Sequence, residues 1–109
     1  MCGIAGFLGI HDRDLAHRMS NLLVHRGPDD GGVHYEHERG LGLVHRRLSI
    51  VGIDERGREP IWNEDHTVAL VYNGEIYNYR KLRAKLSHHR FSSDMDGEVL
   101  LHLYEDFGT

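Results

Sequence analysis

Cys2-Gly3-Ile4-Ala5-Gly6-Phe7-Leu8-Gly9-Ile10 is an apolar run interrupted by small residues, and it carries the only cysteine of the 109-residue chain. The run reads as a strand buried on both faces. Cys2, directly behind Met1, has two readings. Free cysteine is among the most buried residue types, so it can open the strand as an inert thiol. Once Met1 is removed, however, one residue carries a thiol and an α-amino group, a nucleophile with its own base. That amine titrates near about 7.7–8.0, so part of it is neutral and basic at neutral pH.

Outward from this strand, Asp12 or Asp14 caps a helix whose Leu15, Met19, Leu22 and Leu23 form one apolar stripe. The helix ends near Val24, before the turn-rich His25-Arg26-Gly27-Pro28-Asp29-Asp30-Gly31-Gly32. Val33–His37 and Leu41–Val44 read as two short strands around Arg39-Gly40, and His45–Val51 continues strand-like. Gly52–Asn63 is a long hairpin or loop. Thr67–Tyr72 reads as the central strand, stopping at an Asn73-Gly74 turn of positive φ. Tyr79–Leu86 is a helix with Leu82 and Leu86 inward, and Phe91 sits in a short strand. A last helix covers Gly97–Phe107, with Val99, Leu103 and Phe107 on one side and Gly108 closing it. Strands followed by helices with antiparallel connections predict an α+β domain.

The chain is long enough for one core and too short for two. A net charge of −4 gives no electrostatic reason to expect nucleic acid or an acidic membrane as partner. The lone cysteine excludes an internal disulfide and fits a reducing compartment. No apolar stretch approaches the ~18 residues of a membrane span, and the start lacks a basic n-region. The expected location is the cytoplasm. Ten histidines are many, but they fall into no metal motif: there is no HExxH, and one cysteine cannot build a thiolate cluster. No metal and no cofactor is expected in this segment.

Four polar clusters remain: Cys2, Arg46-Arg47, Asn73-Gly74-Glu75, and Asp94 with Asp96. Singly, each has an ordinary structural explanation, such as a solvated arginine, a turn or a helix cap. Together they describe a site for a zwitterionic amino acid amide. A guanidinium binds the α-carboxylate, carboxylates bind the ammonium, and an asparagine amide beside a backbone N–H faces a developing oxyanion.

Five stretches carry a resemblance: Met-Cys-Gly-Ile-Ala-Gly-Phe at 1–7, His-Arg-Gly-Pro-Asp-Asp at 25–30, His-Arg-Arg-Leu-Ser-Ile-Val at 45–51, Tyr-Asn-Gly-Glu-Ile-Tyr-Asn-Tyr at 72–79, and Glu-Val-Leu-Leu-His-Leu-Tyr-Glu at 98–105. In this order they resemble the glutaminase domain of class II (N-terminal nucleophile) glutamine amidotransferases. Arg-Leu-Ser-Ile most closely resembles the glutamine-dependent asparagine synthase branch. The resemblance implies an Ntn-hydrolase-like αββα sandwich, with Cys2 as nucleophile and its amine as base. Asn73 and Gly74 would form the oxyanion hole, and Arg47 would hold the carboxylate of L-glutamine. Ile50 and Val51 would offer backbone to the substrate, and Glu75 with Asp96 would hold its ammonium.

Counting forward from the serines selects Asp94 instead of Asp96, whereas counting back from Glu98 selects Asp96, the preferred register. The loop at 25–32 is either a mobile cover or plain turn chemistry. Residues 1–109 would be the N-terminal portion of the glutaminase domain. Further strands and a synthetase domain using ATP and Mg would follow, passing the released ammonia to aspartate. Two alternatives stand beside this: another acceptor, such as a sugar or peptide carboxylate, or a non-catalytic interaction module.

Overall fold

Leu41–Arg47 (β3) is the strand around which the first half folds, because it is paired along both edges. We describe a computed structural model, which covers residues 2–48 and 58–109. Gly3–Phe7 (β1) and Asp30–Glu36 (β2) flank β3, both antiparallel, giving the order β1-β3-β2. The β2–β3 hairpin turns at residues 37–40, where Gly40 takes φ +61 and its N–H donates to the His37 carbonyl. That φ is one a side chain would strain.

The registers sort the side chains into two faces. Gly3, Ala5 and Phe7 share a face with Gly42, Val44 and Arg46 and with Gly31, Val33 and Tyr35. Arg13–Leu22 (α1) packs on this face. Its N-cap is Asp12, whose Oδ1 accepts the N–H groups of Asp14 and Leu15 at 3.0 and 3.3 Å. Those are donors that the first turn leaves without a helical partner. Ile4, Leu43, His45, Arg47, Gly32 and His34 line the opposite face.

The second half covers the β2–β3 part of that opposite face. Ile61–Trp62 (β4) pairs antiparallel with Ala69–Leu70 (β5). The chain ahead of β4 comes so close that a Cβ on Gly32 would lie 1.7 Å from the Glu59 carbonyl oxygen. Trp62 stands edge-on to His34, with centroids 4.8 Å apart. Tyr79–Lys85 (α2) and Glu98–Phe107 (α3) follow, and α3 packs on both α2 and β5. Val44, Ile61, Leu86, Val99 and Leu101 are core residues. The described residues thus form a mixed α/β domain with two sheets and three helices.

Several expectations change. β1 is an edge strand with one open face: Ile4 is 45% exposed, so the strand is not buried on both sides. On α1 the buried positions are Ala16 and Ser20, while Leu22 is exposed. The helix lies on a sheet face of small residues and turns its short side chains inward. Only Ala69–Leu70 of Thr67–Tyr72 is strand, and it belongs to the two-stranded sheet. Beyond Leu70, Tyr72 N–H is taken by the Glu59 carboxylate instead of a neighbouring strand. Phe91 is in no strand, its ring lying under the Arg83 guanidinium at 4.2 Å. Gly74 does not have positive φ; the chain bends there without the predicted turn. α3 buries Glu98, Val99, Leu101 and His102 and leaves Phe107 exposed, so its inward face carries polar residues. Gly108 does close the helix, with φ +74 and its N–H on the Tyr104 carbonyl at 2.8 Å.

Candidate active site

Alternation along β3 separates the two adjacent arginines. Arg46 points to the α1 side, where its Nε donates to the Gly27 carbonyl at 2.8 Å. Arg47 points to the opposite side, into a narrow cleft of about 70 Å³ lined by Cys2, His45, Glu59, Tyr72, Asn73, Gly74, Met95 and Asp96. Its Nη1 is buried and has no hydrogen-bond partner among the described residues. A buried guanidinium nitrogen left unsatisfied is costly unless a ligand meets it.

Cys2 is half-buried and free. Its carbonyl oxygen accepts from Asn73 Nδ2 at 3.1 Å and from Arg26 Nε at 3.3 Å. The Asn73 amide and the start of β1 are therefore in direct contact across 71 residues of chain. Asp96 lines the same cleft, and its Oδ2 accepts the Ile76 N–H at 2.7 Å while its Oδ1 accepts the Gly97 N–H at 2.9 Å. Of the two aspartates, Asp94 is the one that stays out of the Cys2 cleft: its side chain is exposed and its nearest cation is Arg83 at 3.9 Å. Glu75 lies beside the cleft instead of in its lining, in an adjoining depression of about 520 Å³ that shares Gly74, Met95 and Asp96. Ile50 and Val51, and with them the backbone contacts expected of them, lie outside the described residues.

Two acidic residues of the site were not singled out as site residues from sequence. Glu59 is buried, accepts the Tyr72 N–H and stands 3.4 Å from the buried His45 Nε2. Burial pushes its carboxyl up to about 7, with the Asp96 charge adding to the rise, while the Tyr72 N–H and the Arg47 charge hold it down. Burial and the Arg47 charge lower the His45 imidazole, while a hydrogen bond to the Tyr72 backbone and the Asp30 charge raise it. Glu98, fully buried, accepts the backbone N–H and the hydroxyl of both Ser92 and Ser93. It thereby fixes the loop that delivers Met95 and Asp96. The available signal for Glu59 was a charged residue before a proline in a polar loop, which by itself reads as solvated.

A thiol, a guanidinium, a carboxamide and a carboxylate facing one cleft can seat a small ligand bearing both a carboxylate and an ammonium. Comparison with known proteins carries this further. Residues 1–109, the whole chain, match the glutamine amidotransferase domain family, and the chain belongs to that family. It is similar to the glutamine-hydrolyzing asparagine synthetase of Zea mays, 44% identical over 113 residues. It is likewise similar to glutamine-hydrolyzing asparagine synthetase 2 of Arabidopsis thaliana, 46% identical over 114 residues. Each alignment covers 99% of this chain and 19% of the relative, so the chain spans about one fifth of the length of these relatives. No helix among the described residues is long and apolar enough to cross a membrane.

Proposed function

We propose that the chain hydrolyses the side-chain amide of L-glutamine at Cys2 and supplies ammonia to a synthetase domain that makes asparagine from aspartate with ATP and Mg. The observation that carries this reading is the convergence of Cys2, Arg47, Asn73, Gly74 and Asp96, from four separate segments, on one cleft with an unsatisfied Arg47 nitrogen.

With Met1 removed, the α-amine of Cys2 takes the thiol proton, and the thiolate attacks the carboxamide carbon. Asn73 Nδ2 and the Gly74 N–H stabilise the oxyanion. The C–N bond breaks, ammonia leaves with the proton held by the amine, and water hydrolyses the thioester to glutamate. Arg47 binds the substrate carboxylate. Asp96 and Glu75 bind its ammonium, and Ile50 and Val51 offer backbone groups. The stacking of α1, the three-stranded sheet, the two-stranded sheet and α2 with α3 is compatible with an αββα sandwich of the Ntn-hydrolase kind, and the cytoplasm is the compartment that suits a single free thiol.

Intact mass before and after treatment with a glutamine-like diazo-ketone tests the reading. The expected result is loss of one methionine and a single adduct on Cys2, absent in Cys2→Ala, which also loses glutaminase activity. Ammonia release that survives Cys2→Ala removes the proposed nucleophile.

A further inference from the structure

Away from the Cys2 cleft, three segments bring imidazoles and carboxylates together. Glu64 lies in the turn between β4 and β5, His89 in the connection from α2 to α3, and His102 and Glu105 one turn apart on α3. We propose that these four residues form a four-coordinate site for a divalent transition metal, with zinc the ion their donor set best suits.

Geometry is the first argument. Glu64 Oε1 lies 3.1 Å from His89 Nδ1 and 3.3 Å from His102 Nδ1. Glu105 Oε1 lies 2.9 Å from His102 Nδ1 and 3.8 Å from His89 Nδ1. All four atoms fall within 4.8 Å of one another. A tetrahedron of nitrogen and oxygen donors about 2.0–2.1 Å from zinc has edges of roughly 3.3 Å, and the four measured edges scatter around that value.

The second argument is the far side of each ring. His89 Nε2 is 2.8 Å from Asp106 Oδ1, and Asp106 is held in turn by His88 Nε2 at 2.8 Å. His102 Nε2 is buried, unpartnered, and faces the buried Glu98 carboxylate at 3.6 Å. A carboxylate behind the ring is the arrangement that keeps the proton on the outer nitrogen of a metal-binding histidine. With both protons on Nε2, the two Nδ1 lone pairs point at two carboxylate oxygens, and four lone pairs converge on one point. A cation there resolves the conflict. Without a cation, a neutral His102 that donates Nδ1–H to Glu105 would turn a bare Nε2 lone pair on the buried Glu98 carboxylate, and an imidazolium there would be a fully buried charge stacked 4.5 Å from the His89 ring.

Two imidazoles with two carboxylates match zinc, whereas calcium and magnesium prefer oxygen alone. The ion would clamp the β4–β5 turn to α3, whose first residue, Glu98, holds the loop leading to Asp96. No ligand lines the Cys2 cleft, so the site stands independently of the glutaminase reading.

The experiment is zinc titration of the chelator-stripped chain in a Cys2→Ala background, which removes the thiol as a competing ligand. Bound metal is read by mass spectrometry and by the melting temperature. One equivalent that survives gel filtration and raises the melting temperature is expected. His89→Gln and Glu105→Gln, neither at a fully buried position, should each lose that equivalent while keeping the circular dichroism of the parent. Asp106→Asn, which touches no metal, should weaken binding by about 10–100-fold. Absence of a bound equivalent, or an equivalent that persists in both His89→Gln and Glu105→Gln, overturns the proposal.

Discussion

Asn73 uses its side-chain amide to hold the carbonyl of Cys2, the residue whose thiol it is proposed to assist. Its Nδ2 has a second hydrogen to offer a developing oxyanion, so one amide can orient the nucleophile and stabilise the charge it creates. Asn73→Ala is expected to lower kcat by on the order of 100-fold with a smaller change in KM, measured by steady-state ammonia release. A loss confined to KM would instead make Asn73 a substrate-binding group. At this scale the sequence supplies the residue types and their resemblance to a family's motifs, but it presents Arg46 and Arg47 as one pair, and only the register of β3 sends them to opposite faces. Glu59 could not be read that way. Its partners His45, Arg47 and Tyr72 reach it only after β3 and the chain at 72–74 close on the same cleft, and no local pattern encodes that meeting.

Among the elements, α1 has the clearest sequence signal, and the Asp12 cap bears on it most directly. Its Oδ1 satisfies two N–H groups of the first turn, and its Oδ2 pairs with Arg18 at 2.9 Å. Asp12→Ala is expected to destabilise the fold by about 1 kcal/mol, the usual value for a lost N-cap. Asp12→Asn keeps the cap and loses an exposed ion pair worth little, so its urea midpoint should stay near that of the parent. Equal losses in the two variants would assign the stability to the ion pair instead.

Helices announce themselves through caps and period, as Asp12 and Gly108 do. Which face is buried depends on the partner: α1 meets glycines and valines, and α3 turns Glu98 and His102 inward. The strand at Ala69–Leu70 is shorter than the apolar run Thr67–Tyr72 predicts, because such a run looks the same whether its backbone pairs with a strand or with a carboxylate such as Glu59. The histidine–carboxylate cluster escaped for a related reason. Its members at 64, 89, 102 and 105 come from separate elements, so no motif spacing joins them.

At the scale of the whole molecule, the buried pair His45 and Glu59 makes global stability depend on pH. The Glu59 carboxyl is pushed by burial from its ordinary 4.5 up to about 7. Between those values the folded chain keeps a proton that the unfolded chain has released, so Glu59 lowers stability as pH rises from 4.5 to about 7 and adds no further change above. Over that span the shift corresponds to roughly 3 kcal/mol. His45, lowered by burial, acts in the opposite direction. Below its ordinary 6.5 the unfolded chain takes up a proton that the folded one refuses, so stability falls as pH drops.

The groups facing Glu59 are His45 and Arg47 from β3, with Tyr72 and Asp96 from the two segments that close the cleft. Replacing the carboxyl by an amide removes its titration while leaving an acceptor for the Tyr72 N–H. Relative to the parent, Glu59→Gln should therefore gain stability steadily between pH 4.5 and 7, and the difference should be flat outside that window. Urea unfolding of both chains at pH 5, 6, 7 and 8 measures it, and the comparison cancels the titrating groups that do not interact with Glu59. A difference that does not change with pH would mean that Glu59 is ionised throughout, stabilised by Arg47 and the Tyr72 N–H more than burial disfavours it. The cleft would then carry a fixed negative charge beside Arg47 at every working pH.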